Sequence, residues 1–213
     1  MGKRVFSILV LALACFSMQA QKCITTHFTA MIIQGEAMGR GMIGDDLGLG
    51  VNIAYGHAIG SKTQVLIAAS HLRYNVDYMQ PGGDNSSYYY GTGSHTSAGA
   101  GLMFFPFSKR GRAAIYSQFR PYVAATGGIV MQNNQTVDAI NLPSGFTLYE
   151  GNRLLPYGEI LFGIKLRMSP NLSFDVFAGG RSTMTDGIDG IAGTGAAPDI
   201  IGRVGFGICS KLR

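Results

Sequence analysis

The stretch LGLGVNIAYG sets Leu47, Leu49, Val51, Ile53 and Tyr55 on one parity and Gly48, Gly50, Asn52, Ala54 and Gly56 on the other. A period of two marks a β-strand, whose successive side chains point to opposite faces. In a soluble, half-buried strand the second face meets water and carries polar or charged groups. Here it is small instead. The alternation returns in LPYGEILFGIKLRMS, where Ile160, Phe162, Ile164, Leu166 and Met168 oppose Glu159, Gly163, Lys165 and Arg167. LSFDVFAGGRS sets Leu172, Phe174, Val176 and Ala178 against Ser173, Asp175, Gly179 and Arg181. IIGRVGFGICSKLR sets Ile200, Val204, Phe206, Ile208 and Leu212 against Arg203, Gly205, Gly207, Cys209 and Lys211. Each pattern runs for about ten residues, longer than most soluble strands and the length a tilted strand needs to cross a bilayer.

Less regular segments complete the set. Strands are expected over 23–34, 47–59, 63–79, 96–107, 121–132, 154–168, 172–182 and 200–212. The connections alternate in length. GSK (60–62) and SPN (169–171) are tight, the link around SKRGR (108–112) is longer, and 35–46, 80–95, 133–153 and 183–199 at the other end are long. An even strand count with mostly tight turns at one end and long loops at the other predicts an all-β fold: a closed antiparallel up-and-down transmembrane barrel. Closure also removes the open edge that hydrocarbon could not solvate. Leu47, Leu49, Val51, Ile53 and Tyr55 then face lipid. Glu159, Lys165, Arg167, Asp175, Arg181 and Arg203 face a narrow lumen, and His71, Arg73, Asn75 and Asp77 read as a further polar inner face.

Composition agrees with an apolar solvent. Charged residues make up 14% of the chain, against the usual quarter, and Gly takes 31 of 213 positions. Lys3 and Arg4 precede an apolar run from Val5 to Phe16, and SMQAQ offers Ala20 for cleavage. Residues 1–20 therefore read as an export signal and 21–213 as one barrel domain. LALAC, ending at Cys15, loosely resembles a lipoprotein cleavage box, but its residue order fits poorly. Without Lys3 and Arg4 the formal charge falls from +5 to +3. That balance is too mild and scattered for nucleic acid.

FFPF (104–107), RPYVAATGG (120–128), LSFDVFAGGR and RVGFGI together resemble the small bacterial outer-membrane β-barrel family, eight-stranded proteins often described as porin-family-like. The resemblance covers the export signal and essentially the whole mature chain. It implies an outer-membrane location and is weak for function. One departure is the finish on Lys211, Leu212 and Arg213, where such barrels usually end on an aromatic residue.

Motifs with chemical content mostly fail on context. GRGMIG (39–44) matches G-x-G-x-x-G but is followed by a strand, whereas a pyrophosphate needs a helix N-terminus there. Ser70-His71 and Ser94-His95 are sequence neighbours, and neighbours on a strand point to opposite faces, so neither can pair as nucleophile and base. His27 and His57 look isolated, and DGIDG (186–190) misses the calcium-loop spacing. No catalytic residue, cofactor or metal is expected. Tyr88, Tyr89 and Tyr90 read either as a ligand-contacting loop tip or as part of an interfacial aromatic girdle, and Tyr74 and Tyr78 as girdle. Cys23 and Cys209 fall on the inward parity of the first and last strands, which are neighbours in a closed even-stranded barrel. They are candidates for a disulfide across the seam.

The expected function is that of an integral outer-membrane barrel with a structural or surface-interacting role and no general pore. Its expected partners are outer-membrane lipid and an extracellular ligand through the long loops, and it is expected to be monomeric. A lipid-modifying barrel enzyme and a soluble periplasmic barrel binding an apolar ligand are the alternatives.

Overall fold

A computed structural model describes residues 22–34, 47–80, 87–107, 118–141, 147–183, 185, 191–192 and 200–212. The expected export signal, the GRGMIG motif and DGIDG lie outside these residues. Ten strands follow in chain order: β1 (Lys22–Gln34), β2 (Leu47–Ala58), β3 (Thr63–Gln80), β4 (Ser87–Phe104), β5 (Phe119–Ile140), β6 (Thr147–Leu148), β7 (Gly151–Arg167), β8 (Leu172–Ser182), β9 (Ile191–Ala192) and β10 (Ile200–Leu212). Eight of them close into one antiparallel barrel in the order β1-β10-β8-β7-β5-β4-β3-β2, and β6 pairs with β9 in a separate short ladder.

The register fixes the barrel's shape. A track of directly opposite residues from Lys22 passes through His57, Val65, Leu102, Ala125, Ile160, Gly180 and Gly202, and returns to β1 at Ile32. It closes ten residues beyond its start, and for eight strands that stagger corresponds to a tilt of about 40°. Such a narrow barrel has an interior only as wide as its side chains.

Parity decides which side chains fill it. The apolar parity points outward, with Phe28 at 64%, Leu49 at 62% and Phe206 at 55% exposure, while Arg181, Arg203 and Asp175 are buried. Inside, aromatic rings lie over cross-strand glycines. Tyr122 faces Gly163, Tyr74 faces Gly93, and Phe177 faces Gly205. A Cβ at any of these glycines would run into the facing ring. The missing side chain on one strand thus makes room for a ring from the next.

The tight connections are tied by hydrogen bonds. Between β7 and β8 the Ser169 hydroxyl accepts from the Leu172 N–H at 3.1 Å, and the Met168 N–H donates to the Leu172 carbonyl at 3.0 Å. Between β2 and β3 the Ile59 N–H donates to the Thr63 carbonyl at 3.0 Å.

The short strands β6 and β9 fall in stretches expected as loops, and two barrel strands are longer than expected. β4 opens at Ser87 rather than 96, and β5 runs to Ile140 rather than 132. The β3–β4 ladder continues to Gln80 opposite Ser87, and the β4–β5 ladder to Tyr88 opposite Ile140, with an irregularity at Tyr90/Gly91. SYYYGTGSHT reads as a loop from its Gly and Ser, yet tyrosine and threonine are good strand formers once both neighbours supply ladder partners. Tyr88, Tyr89 and Tyr90 therefore stand in a strand, not at a loop tip.

Candidate functional site

The lumen gathers the buried charge of the described residues into two clusters. Nearer the tight-turn end, Asp175 of β8 accepts from the Tyr122 hydroxyl at 2.9 Å, and its other oxygen lies 3.1 Å from His27 Nε2 and 3.4 Å from Lys165 Nζ. The Asn52 amide lies 3.3 Å from His27 Nδ1, and the Lys165 ammonium donates to the Thr25 hydroxyl at 3.5 Å. Three strands, β1, β5 and β7, thus converge on one carboxylate of β8, with Asn52 of β2 behind His27.

The second cluster centres on Glu159 of β7. It accepts from Arg203 of β10 and from the Thr126 hydroxyl at 3.1 Å, and Arg181 of β8 lies 3.4 Å away. Arg181 also donates to the Ser97 hydroxyl at 3.1 Å, which is bonded to Ser70 at 2.7 Å, and its guanidinium lies 4.2 Å over the Tyr157 ring. Two arginines share one carboxylate, so the second cluster holds more positive than negative charge. Burial of such groups is tolerable only with dense pairing and hydrogen bonding.

Apolar packing brackets the clusters. Leu66, Met103, Phe105, Tyr122, Ala124, Leu161 and Phe177 pack around and below Asp175. Met31, Ile33, Leu72, Tyr74, Val76, Tyr89 and Ile201 close the long-loop end. Just below them the Tyr74 hydroxyl donates to the Asn134 side-chain oxygen at 2.5 Å and lies 3.3 Å from His95 Nε2.

Of the residues singled out in the sequence, Glu159, Lys165, Asp175, Arg181 and Arg203 stand in the buried clusters. Arg167 does not. It shares their parity but sits at the rim, where its Nε donates to the Ser169 carbonyl of the turn at 3.1 Å. His27 is not isolated, because β10 brings it next to β8 and Asp175. His71, Arg73 and Asn75 are exposed on the outer face, while Leu72, Tyr74 and Val76 fill the inside. Tyr74 is accordingly a lumen residue and not a girdle residue. Tyr89 is buried, with Tyr88 and Tyr90 half-buried. Ser70 points inward and His71 outward, and His71 is bonded to Thr96 at 2.8 Å. Asn52, Tyr122 and Tyr157 gave no sequence signal as site residues, although inward parity on strands rich in glycine marks each of them.

Cys23 and Cys209 are both buried on the inward face, with no bond between them in this structure. They are not directly opposite: Cys23 faces Lys211 and Cys209 faces Thr25. They are thus diagonal neighbours across the seam.

No protein-family profile matches this chain, and no curated protein matches it in sequence. Solved structures match its fold. Neisserial surface protein A is similar over 91% of this chain and 99% of its own, at 14% identity and a TM-score of 0.52. The outer membrane protein OprG from Pseudomonas aeruginosa is similar over 91% and 96%, at 15% identity and a TM-score of 0.51. Ail, the attachment invasion locus protein of Yersinia pestis, in complex with the heparin analogue sucrose octasulfate, is similar over 92% and 100%, at 13% identity and a TM-score of 0.50. The fold of this chain is that of the small eight-stranded outer-membrane barrels.

Proposed function

We propose that the chain is an integral barrel of the outer membrane, with a lumen sealed by its own side chains, a surface-interacting role at its long-loop end and no reaction of its own. The carrying observation is the inverted distribution of polarity, with large apolar side chains outside and paired charges inside. A soluble carrier of an apolar ligand needs the opposite arrangement.

The raised part of the barrel supports the surface role. β3, β4 and β5 have 18, 18 and 22 residues, against 13, 11 and 13 for β1, β8 and β10, so their ends stand above the belt. This blade carries Asp77, Asp138 and the half-buried Tyr88 and Tyr90. Its described charges are acidic, so the sulfated ligand named for Ail is not carried over to this chain. The sealed lumen rests on the two charge clusters and the apolar cap of Met31, Ile33, Leu72, Val76 and Ile201.

Fractionation and conductance test the two halves of the reading. The protein should stay with outer-membrane vesicles through high-salt and alkaline washing, and recovery in the soluble periplasmic fraction would contradict the membrane half. The purified barrel in planar bilayers should give no steady, large single-channel conductance. A stable open level would contradict the sealed lumen.

A further inference from the structure

Two rows of outward side chains cross four neighbouring strands on one flank of the barrel. One runs Phe206, Phe28, Val51, His71; the other runs Val204, Ala30, Leu49, Arg73. Each row thus begins on β10, passes β1 and β2, and ends on β3 in a nitrogen-bearing side chain. The row spans three inter-strand spacings, about 14 Å. Because the strands tilt, it climbs towards the long-loop end as it approaches β3.

The apolar part of these rows is a groove. Phe28, Ala30, Leu49, Val51, Val204 and Phe206 line a depression of about 480 Å³ on the outer face, and Thr29, Gly50 and Gly205 lie along it. The small Ala30 between Val204 and Leu49 leaves the upper row open at its middle. A groove on this face lies among acyl chains.

The β3 end is of another chemistry. Arg73 is exposed directly opposite Leu49, which is itself 62% exposed, and among the described residues no carboxylate pairs with Arg73. His71 is engaged at Nδ1 by Thr96 at 2.8 Å, which leaves its Nε2 for another partner. A guanidinium at the upper edge of an apolar belt is stabilised by an anion that offers several oxygens in a plane or fork, and phosphate does so.

Resting on the membrane reading above, we propose that this flank is a binding site for one phosphate-bearing lipid of the outer leaflet. Arg73 and His71 hold the phosphate, and the groove between Phe206, Phe28, Leu49 and Val204 holds an acyl chain. Charge complementarity selects the headgroup, and the groove distinguishes a lipid from a free phosphate.

The test uses the full barrel in phosphatidylcholine nanodiscs doped with chain-matched phosphatidic acid, followed by native mass spectrometry of the released protein with its retained lipids. Insertion is checked separately by vesicle flotation and heat-modifiable gel mobility. The wild type should retain phosphatidic acid in preference to phosphatidylcholine. Arg73→Gln with His71→Gln should lower that retention on the order of tenfold, as expected for a lost charge-assisted contact. Arg73→Lys should keep most of it, and Ala30→Phe should lower it with both headgroup contacts intact. An inserted wild type without preference for phosphatidic acid, or equal retention by the Gln variant, would overturn the site. A chain that fails to float with vesicles would instead overturn the membrane reading on which the site rests.

Discussion

Glu159 holds the second lumen cluster together, because Arg181 and Arg203 both depend on it. Removing one partner of a buried ion pair leaves an uncompensated charge, at a cost of about 3–5 kcal/mol. Glu159→Gln should therefore lower the urea stability of the vesicle-inserted barrel by that order, and a midpoint unchanged from wild type would show that water already solvates the arginines. The seam cysteines lead to a different expectation. Diagonal partners have Cβ atoms farther apart than the roughly 4 Å a relaxed disulfide requires. Digestion without reductant should accordingly yield alkylated thiols at both Cys23 and Cys209. A cross-linked peptide joining them would show that the seam adjusts locally to close the diagonal gap. Inward parity was legible for both cysteines from the sequence, whereas their offset depends on how two strands far apart in the chain align.

At the scale of the strand, the aromatic–glycine pairs make a sharper demand than hydrophobic pattern alone. The Tyr122 ring occupies the space over Gly163 and donates its hydroxyl to Asp175. Gly163→Val should displace that ring and cost about 1–3 kcal/mol, as overpacking does. Combined with Tyr122→Ala it should cost less than the sum of the two single changes, because both act on the same contact. Additive losses, read from unfolding midpoints, would mean that the ring and the glycine are not coupled. β3 shows where reading by parity succeeds and where it fails. The alternation of HLRYNVDY identifies the strand, but a barrel strand is polar inside only within the lumen's charged zone. In the proposed membrane setting the outer face past the belt meets headgroups and water, and the inner face becomes an apolar cap. His71, Arg73 and Asn75 thus lie outside although Glu159 and Arg181, equally polar, lie inside. Sequence alone cannot locate that crossover, since it depends on the stagger of neighbouring strands.

For the molecule as a whole, eight strands with a stagger of ten leave an interior just wide enough for the side chains found there. The barrel was legible because LGLGVNIAYG and its counterparts place glycines where lumen space is short and aliphatics on the outward face. The partners within the lumen were less legible: His27 and Asp175 lie 148 positions apart in the chain, and only closure of β1 onto β10 brings them together. The proposed membrane barrel stands or falls on lipid solvation of its outward parity. That solvation is tested most directly by nitroxide labels placed singly at Phe28, Ile160 and Phe206 in a background with both seam cysteines replaced by serine, with the barrel inserted in vesicles. All three labels should be highly accessible to oxygen and shielded from a water-soluble nickel complex. Ready access of the nickel complex at all three positions would contradict it.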